Sequence, residues 1–240
     1  MSKIRGMAEL IQQQEREGVT LLTLNREKSL NALNFALLEE LRAKIRELAF
    51  TDDVVVITGA GKKAFSAGAD VKEMLTFDQK RAQSFIEFGR KVLDELREAP
   101  FVSVAALNGL ALGGGFELAL ACDLIYAKEG VKMGLPEIHL GLIPGFGGTQ
   151  YLKEALGKRL AKEIIFHGDQ FTAEQAKEWG IVTRIFKESF IDDVLSLTKE
   201  GSQLKRAKGA VNGGMDHELV LFMDSFADEA SKEKMKKLVK

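Results

Sequence analysis

The run Val54-Val55-Val56-Ile57, closed by Thr58, puts apolar side chains on both sides of any strand it forms. Successive residues of an extended chain point to opposite faces, so this strand needs cover on both. Strands of that kind sit in parallel sheets, and parallel strands need long crossover connections between them. The rest of the chain fits this demand. Val19–Leu24, 101–106 and 123–127 read as further strands, rich in β-branched or apolar residues. Between them, Asn34 to Leu48 and roughly 78–99 carry helical apolar spacing, with Asn34 placed as an N-cap and Pro100 stopping the second helix. Strand and helix thus alternate through the first two-thirds, which predicts an α/β fold. From Lys158 onward the pattern is mostly helical; Thr172 and Gln175 have capping-box spacing for a short helix ending near Gly180.

Composition narrows the function classes. The 240 residues suffice for one large domain, and 34 Lys plus Arg against 35 Asp plus Glu leave a formal charge of -1. A near-neutral chain lacks the basic surface that nucleic acid or an acidic membrane would call for. The one cysteine, Cys122, permits no intramolecular disulfide and, set among apolar residues, reads as a buried structural thiol in a reducing compartment. The segment Met1 to Gly6 lacks the apolar core of a signal peptide, and no apolar run approaches the roughly 20 residues of a membrane span. A cytoplasmic protein is expected.

Glycine-rich loops at 59–61, 109–115 and 141–148 fall between the predicted elements. In the second, Asn108 to Gly115 runs straight into a helix-like segment with Glu117 in its first turn. Glycines let backbone N–H groups approach a ligand closely, and a helix N-terminus favours negative charge. A carboxyl beside such a corner suggests proton transfer next to a developing oxyanion. Gly59-Ala60-Gly61-Lys62-Lys63-Ala64 matches a dinucleotide fingerprint, but that motif needs a helix to begin inside the glycines, and a small-residue loop, Phe65 to Asp70, follows instead. It is no phosphate-binding P-loop either. Within Phe65 to Met74, Lys72 offers a point charge for a phosphate. In Met133 to Gln150, Pro136 and Pro144 bracket Glu137 and restrict its backbone. His139, His167 and His217 lack metal-ligand spacing.

Phe65 to Met74, Asn108 to Asp123 and Gly134 to Gln150, in this order and spacing, resemble the enoyl-CoA hydratase/isomerase (crotonase) superfamily. Leu24-Asn25-Arg26, Leu30 to Asn34 and Gly168 to Ala173 add to the likeness, which is strong over roughly 15–190. The resemblance implies an α/β, crotonase-type spiral of repeated ββα units over 1–190. A helical C-terminal trimerisation region, 191–240, would belong to the same functional unit. It also implies an acyl-CoA substrate whose thioester oxygen is held by the backbone N–H groups of Ala69 and Gly114. Glu117 and Glu137 take the places of the two acids that hydratases carry. In that mechanism Glu117 activates water for attack at the β-carbon and Glu137 delivers a proton to the α-carbon, with one carboxyl of the close pair keeping its proton near neutrality. By the same resemblance Ala67, Gly68, Asp70, Lys72 and Gly113 serve substrate and CoA binding, Gly145 positions the water, and Met74 and Leu75 line the acyl pocket. Coenzyme A is part of the substrate, and neither metal nor other cofactor is implied. A homotrimer or homohexamer is expected.

The chain departs from the family pattern in three places. Arg26-Glu27 replaces the usual Arg-Pro, Leu135 stands where some hydratases have a polar residue, and the closing Lys-Arg-x-Pro-x-Phe type of ending is absent. The last bears on a neighbouring subunit's CoA site, not on hydration. Enoyl isomerisation or an acyl-CoA lyase reaction is the nearest alternative. An RNA-binding relative would need a basic helix, yet 79–98 mixes Lys80, Arg81, Arg90 and Lys91 with Glu87, Asp94, Glu95 and Glu98.

Overall fold

The computed structural model describes residues 9–187 and 190–238. Two sheets form its frame. The larger has the order β1 (Ile11–Arg16), β2 (Val19–Leu24), β3 (Val54–Gly59), β5 (Val102–Leu107), β7 (Leu124–Lys128) and β10 (Arg184–Phe186). All its pairings are parallel except the β1–β2 hairpin. The smaller sheet runs β4 (Ala64–Ser66), β6 (Leu110–Leu112), β8 (Lys132–Gly134) and β9 (Phe171–Thr172), its first three strands parallel.

Each turn of the chain gives one strand to the large sheet, the next to the small sheet, and then a helix. β3 and β4 lead to α2 (Val71–Met74) and α3 (Gln79–Arg97); β5 and β6 to α4 (Gly114–Leu120); β7 and β8 to α5 (Gly148–His167). An earlier turn is abbreviated: β2, a single parallel bridge of Leu33 to Ala69, then α1 (Phe35–Leu48). This is the ββα spiral expected for the family.

Alternation along β3 explains its unbroken apolar run. Val55 and Ile57 face the main core with Leu37, Leu38, Leu41, Val92, Leu93 and Leu96 of α1 and α3. Val54 and Val56 face the other side, where Phe190, Val194 and Leu195 of α7 (Phe190–Thr198) cover the sheet. Helix starts follow the predicted caps: Asn34 accepts from Leu37 N–H, and Thr172 and Gln175 form a reciprocal capping box opening α6 (Ala173–Glu178).

Some expectations need correcting. The mostly helical reading after Lys158 misses β9 and β10. Gly157 marks no change of region but a kink inside α5, which begins at Gly148. The loop at 65–70 begins inside β4 and the loop at 109–115 contains β6, strands of only three residues whose pattern is too short to read. The Gly59–Ala64 segment leads into β4 and not into a helix, as the rejection of a dinucleotide site requires. Past α7 come α8 (Gly201–Ala227), folded back at Gly214, and α9 (Glu229–Leu238). The basic closing stretch is solvated in its described part, with Lys232 and Lys236 paired to Glu229 and Glu233; residues 239–240 and 1–8 lie outside the described residues. Among the described residues no helix is long and apolar enough to cross a membrane.

Candidate active site

Three neighbouring parallel strands, β4, β6 and β8, end side by side, and each hands its next residues to one place. Residues 67–70 follow β4, Gly113 and Gly114 follow β6, and Leu135 to Glu137 follow β8. Loops at the carboxyl ends of parallel strands converge, which is why segments far apart in the chain meet here.

Ala69 lies in the parallel bridge with Leu33, in which Leu33 N–H donates to Gly68 O (2.8 Å) and Asp70 N–H to Leu33 O (2.9 Å). Leu33 thereby bonds the two neighbours of Ala69, and the N–H of Ala69 itself turns to the opposite side. On that side is Gly114: a Cβ placed on Gly114 would lie 3.3 Å from Ala69 N. Gly114 opens α4, so its N–H has no acceptor one turn back. Gly113, just before it, has φ +50° and ψ -128°, open to glycine alone, and a Cβ there would sit 2.8 Å from Glu137 Oε1. Its N–H donates to Gly134 O (2.9 Å), which locks the loop after β6 to the end of β8.

Glu117 projects from the first turn of α4 and is 1% exposed. Its Oε1 accepts from Phe146 N–H (2.8 Å) and Gly148 N–H (2.7 Å), two donors of the glycine-rich turn that leads into α5. Burial pushes its carboxyl up to about 7, the nearby Glu137 adds to the rise, and the turn's N–H groups hold it lower than burial alone would. Leu135, fully buried, supplies part of that dry wall: a Cβ built on Gly148 would lie 3.1 Å from its Cδ1 and 3.0 Å from Glu117 Oε1. Glu137 sits on a 3-10 turn, Pro136–Leu140, closed by left-handed Gly141. Burial raises its carboxyl too, and its Oε2 is buried without a hydrogen-bond partner among the described residues. The structure therefore brings Glu117, Glu137, Ala69, Gly114, Gly113 and Gly68 together.

The other predicted residues lie around this centre. Ala67 N–H donates to Leu30 O (2.9 Å), leaving the residue half-exposed at the rim. Asp70 turns inward: it pairs with Arg26 (2.9 Å) and caps α2 through Lys72 and Glu73 N–H. Burial opposes its charge, but Arg26 and the two N–H donors outweigh it and hold the carboxyl below its ordinary range. Arg26 also donates to Ala32 O, so this pair ties the first turn of the spiral to the loop after β4. Lys72 is exposed on α2; Met74 packs half-buried against the core, whereas Leu75 is 82% exposed. Gly145 O accepts from Arg90 (3.2 Å). Sequence reasoning missed Phe146 and Gly148, at which only the glycine-rich turn itself hinted, because backbone donors leave no mark on residue type. Leu135, noted from the sequence as a departure from the family pattern, proves to be part of the apolar wall. Cys122 is buried and its thiol is pushed up by burial, as a structural role requires. Among the described residues no three His, Cys, Asp or Glu side chains gather as a metal site would need.

Fold and site define a ββα-spiral protein whose cleft sets one buried and one half-buried carboxyl beside converging backbone donors. The sequence profile of the enoyl-CoA hydratase/isomerase family matches residues 14–236, and the chain belongs to that family. A short-chain-enoyl-CoA hydratase of Clostridium acetobutylicum is 37% identical over 238 residues, covering 92% of this chain and 90% of the relative. A crotonyl-CoA hydratase of Syntrophomonas wolfei is 37% identical over 227 residues, covering 90% and 86%. The crystal structure of an enoyl-CoA hydratase from Bacillus anthracis superposes with a TM-score of 0.86 at 31% identity, covering 96% of each chain.

Proposed function

We infer that this chain is an enoyl-CoA hydratase, adding water reversibly across the conjugated double bond of a trans-2-enoyl-CoA to give the (3S)-3-hydroxyacyl-CoA. The observation that carries the reading is the buried Glu117 and the half-buried Glu137 set beside the N–H groups of Ala69 and Gly114. Hydratase relatives and the family membership support it. In the proposed mechanism those two N–H groups hold the thioester oxygen. Attack at the β-carbon moves charge onto that oxygen, and losing one such donor typically costs about two to three orders of magnitude in rate.

Differences between the two acids assign their roles. Glu117 accepts two N–H bonds, which favours its carboxylate, so it is the base that takes a proton from water. Glu137 keeps an oxygen buried and unpartnered, which favours its neutral form, so it is the acid that protonates the α-carbon. Water oxygen bonds to the β-carbon as its proton passes to Glu117; the enolate collapses as the Glu137 proton reaches the α-carbon. Two adjacent carboxyls holding one proton between them suit both directions. The reaction calls for no metal or redox group, coenzyme A arriving with the substrate. Ala67, Lys72 and Gly113 would meet the CoA moiety, Met74 and Leu75 the acyl chain, and Gly145 the water.

The same proposal includes assembly. The outer part of α8 leaves Leu219, Val220, Phe222, Met223 and Phe226 more than half exposed, an apolar face suited to other copies of this chain in a homotrimer or homohexamer. Residues 1–190 would then be the catalytic core and 191–240 the assembling part of one unit. A cytoplasmic setting is proposed from the single buried cysteine. Loss of crotonyl-CoA absorbance on adding purified protein is the test. Turnover is expected for the native chain and a fall of about 10²- to 10⁴-fold in kcat for Glu117→Gln and Glu137→Gln. Absence of native turnover, or full turnover in Glu137→Gln, refutes the assignment, and a product of unchanged mass indicates isomerisation.

A further inference from the structure

The two donors that hold Glu117 belong to the turn Gly145-Phe146-Gly147-Gly148, whose only side chain, the buried Phe146, packs edge-on against Phe85 (5.4 Å between centroids) and leaves the glycines on either side without one. Its glycine half, Gly147-Gly148, is backed by Tyr151, less than one helical turn further along α5. Gly147 has φ +121°, and a Cβ built on it would lie 2.5 Å from Tyr151 Cζ and 2.6 Å from its hydroxyl oxygen. The buried Tyr151 ring thus lies directly against the one residue between the two donors. The hydroxyl donates to Asp94 Oδ1 of α3 (3.1 Å), and the Arg97 guanidinium, one turn on, covers the ring at 4.5 Å from its centroid. Arg90 of the same helix donates to Gly145 O. Helix α3 therefore grips the turn at both ends.

We propose that the Tyr151–Asp94 pair is a positioning device for Glu117, seating the turn whose N–H groups hold the carboxyl and so governing its orientation and protonation. The inference rests on Glu117 being the base in the reaction proposed above. The groups that face Glu117 are few: Glu137 from the 3-10 turn, and Tyr151 behind the glycine turn, with Asp94, Arg97 and Arg90 of α3 beyond it. Burial and the Asp94 carboxylate both push the Tyr151 phenol well above its ordinary value, so it remains a donor at any working pH. Freed from Asp94, the ring would drop its hold on Gly147, the N–H bonds would lengthen, and the Glu117 carboxylate would lose stabilisation.

Tyr151→Phe and Asp94→Ala test this, the second at an exposed helix position where alanine is a good helix former. In protein labelled with 13C at the glutamate carboxyls, the Glu117 signal is assigned by its loss in Glu117→Gln. Its titration should move upward by about half a pH unit in both variants. For crotonyl-CoA hydration, kcat at pH 7 should fall about tenfold with KM within about twofold, and the acid limb of the pH profile should shift the same way. The double variant should be no worse than Tyr151→Phe, because the two side chains act as one pair. An unmoved Glu117 titration and acid limb in Asp94→Ala overturns the proposal, as does additive loss in the double variant. A native protein without turnover but with the NMR shift leaves the positioning role standing and removes the hydratase reading.

Discussion

Replacing Glu117 by Gln should leave the protein increasingly stable relative to wild type as the pH rises, a reversal of the usual effect of disturbing a buried acid. The carboxyl is held at about 7 against an ordinary 4.5. At about 1.4 kcal/mol per pH unit the full gap is worth about 3 kcal/mol, a cost to the folded state once the group ionises. The sign follows from proton counting. Between pH 4.5 and 7 the folded protein keeps a proton that the unfolded chain releases, so stability falls as the pH rises through this window. The substituted glutamine has no such proton to lose, and its amide oxygen can still accept from Phe146 and Gly148. Between about pH 5.5 and 8, about 2 kcal/mol of the gap is traversed, so the stability of Glu117→Gln relative to wild type should rise by about 2 kcal/mol. For a chain of this size that is a change of about 4 to 8 °C in the difference between their melting temperatures. Urea unfolding at the two pH values suits the measurement, followed by fluorescence of the single tryptophan, Trp179, which packs on Phe171 at 4.9 Å. Effects of shape or lost contacts cancel, being the same at both pH values. A difference that stays constant or shrinks with rising pH would show that burial does not hold the Glu117 carboxyl at about 7, and the expected decline of hydration below that pH would fall with it.

Other consequences are as direct. The kcat/KM of hydration should decline below about pH 7 as Glu117 takes up its proton, and the decline should be absent from the residual activity of Glu117→Gln. Gly113→Ala combines a forbidden backbone with a Cβ 2.8 Å from Glu137 Oε1; a loss of about 1 to 3 kcal/mol in chemical denaturation and a large drop in kcat are expected. Arg26→Ala leaves the largely buried Asp70 carboxylate unpaired and should cost about 1 to 3 kcal/mol at pH 7. Because Asp70 is held below its ordinary 3.8, wild type should lose that advantage as the pH falls through and below this value, which acid titration of both proteins checks.

Much of the frame was legible in the chain. Uninterrupted apolar strands imply two-sided cover, and helix caps such as Asn34 and Thr172 act within four residues, so local pattern suffices for both. The short strands β4, β6, β8 and β9 were not legible, since two or three residues cannot display a period and their stability comes wholly from neighbours. β10 was hidden for the same reason in a region of helical composition. Glu117 and Glu137 could be singled out from glycine-rich and proline-bracketed motifs, and their likeness to one family suggested partnership.

What residue order alone settled, then, was an α/β chain with two acids beside loops built for close backbone approach. Tertiary structure decided the rest: that three strand ends lie side by side, that Glu117 is dry and held by Phe146 and Gly148 N–H groups, and that Glu137 Oε2 is left without a partner among the described residues. A carboxyl's protonation depends on solvent exclusion and on dipoles contributed from distant segments, and no local stretch of sequence encodes either. Tyr151 shows the limit most plainly. Its place in α5 reads as ordinary core packing until the fold sets it between Asp94 and the turn that holds Glu117.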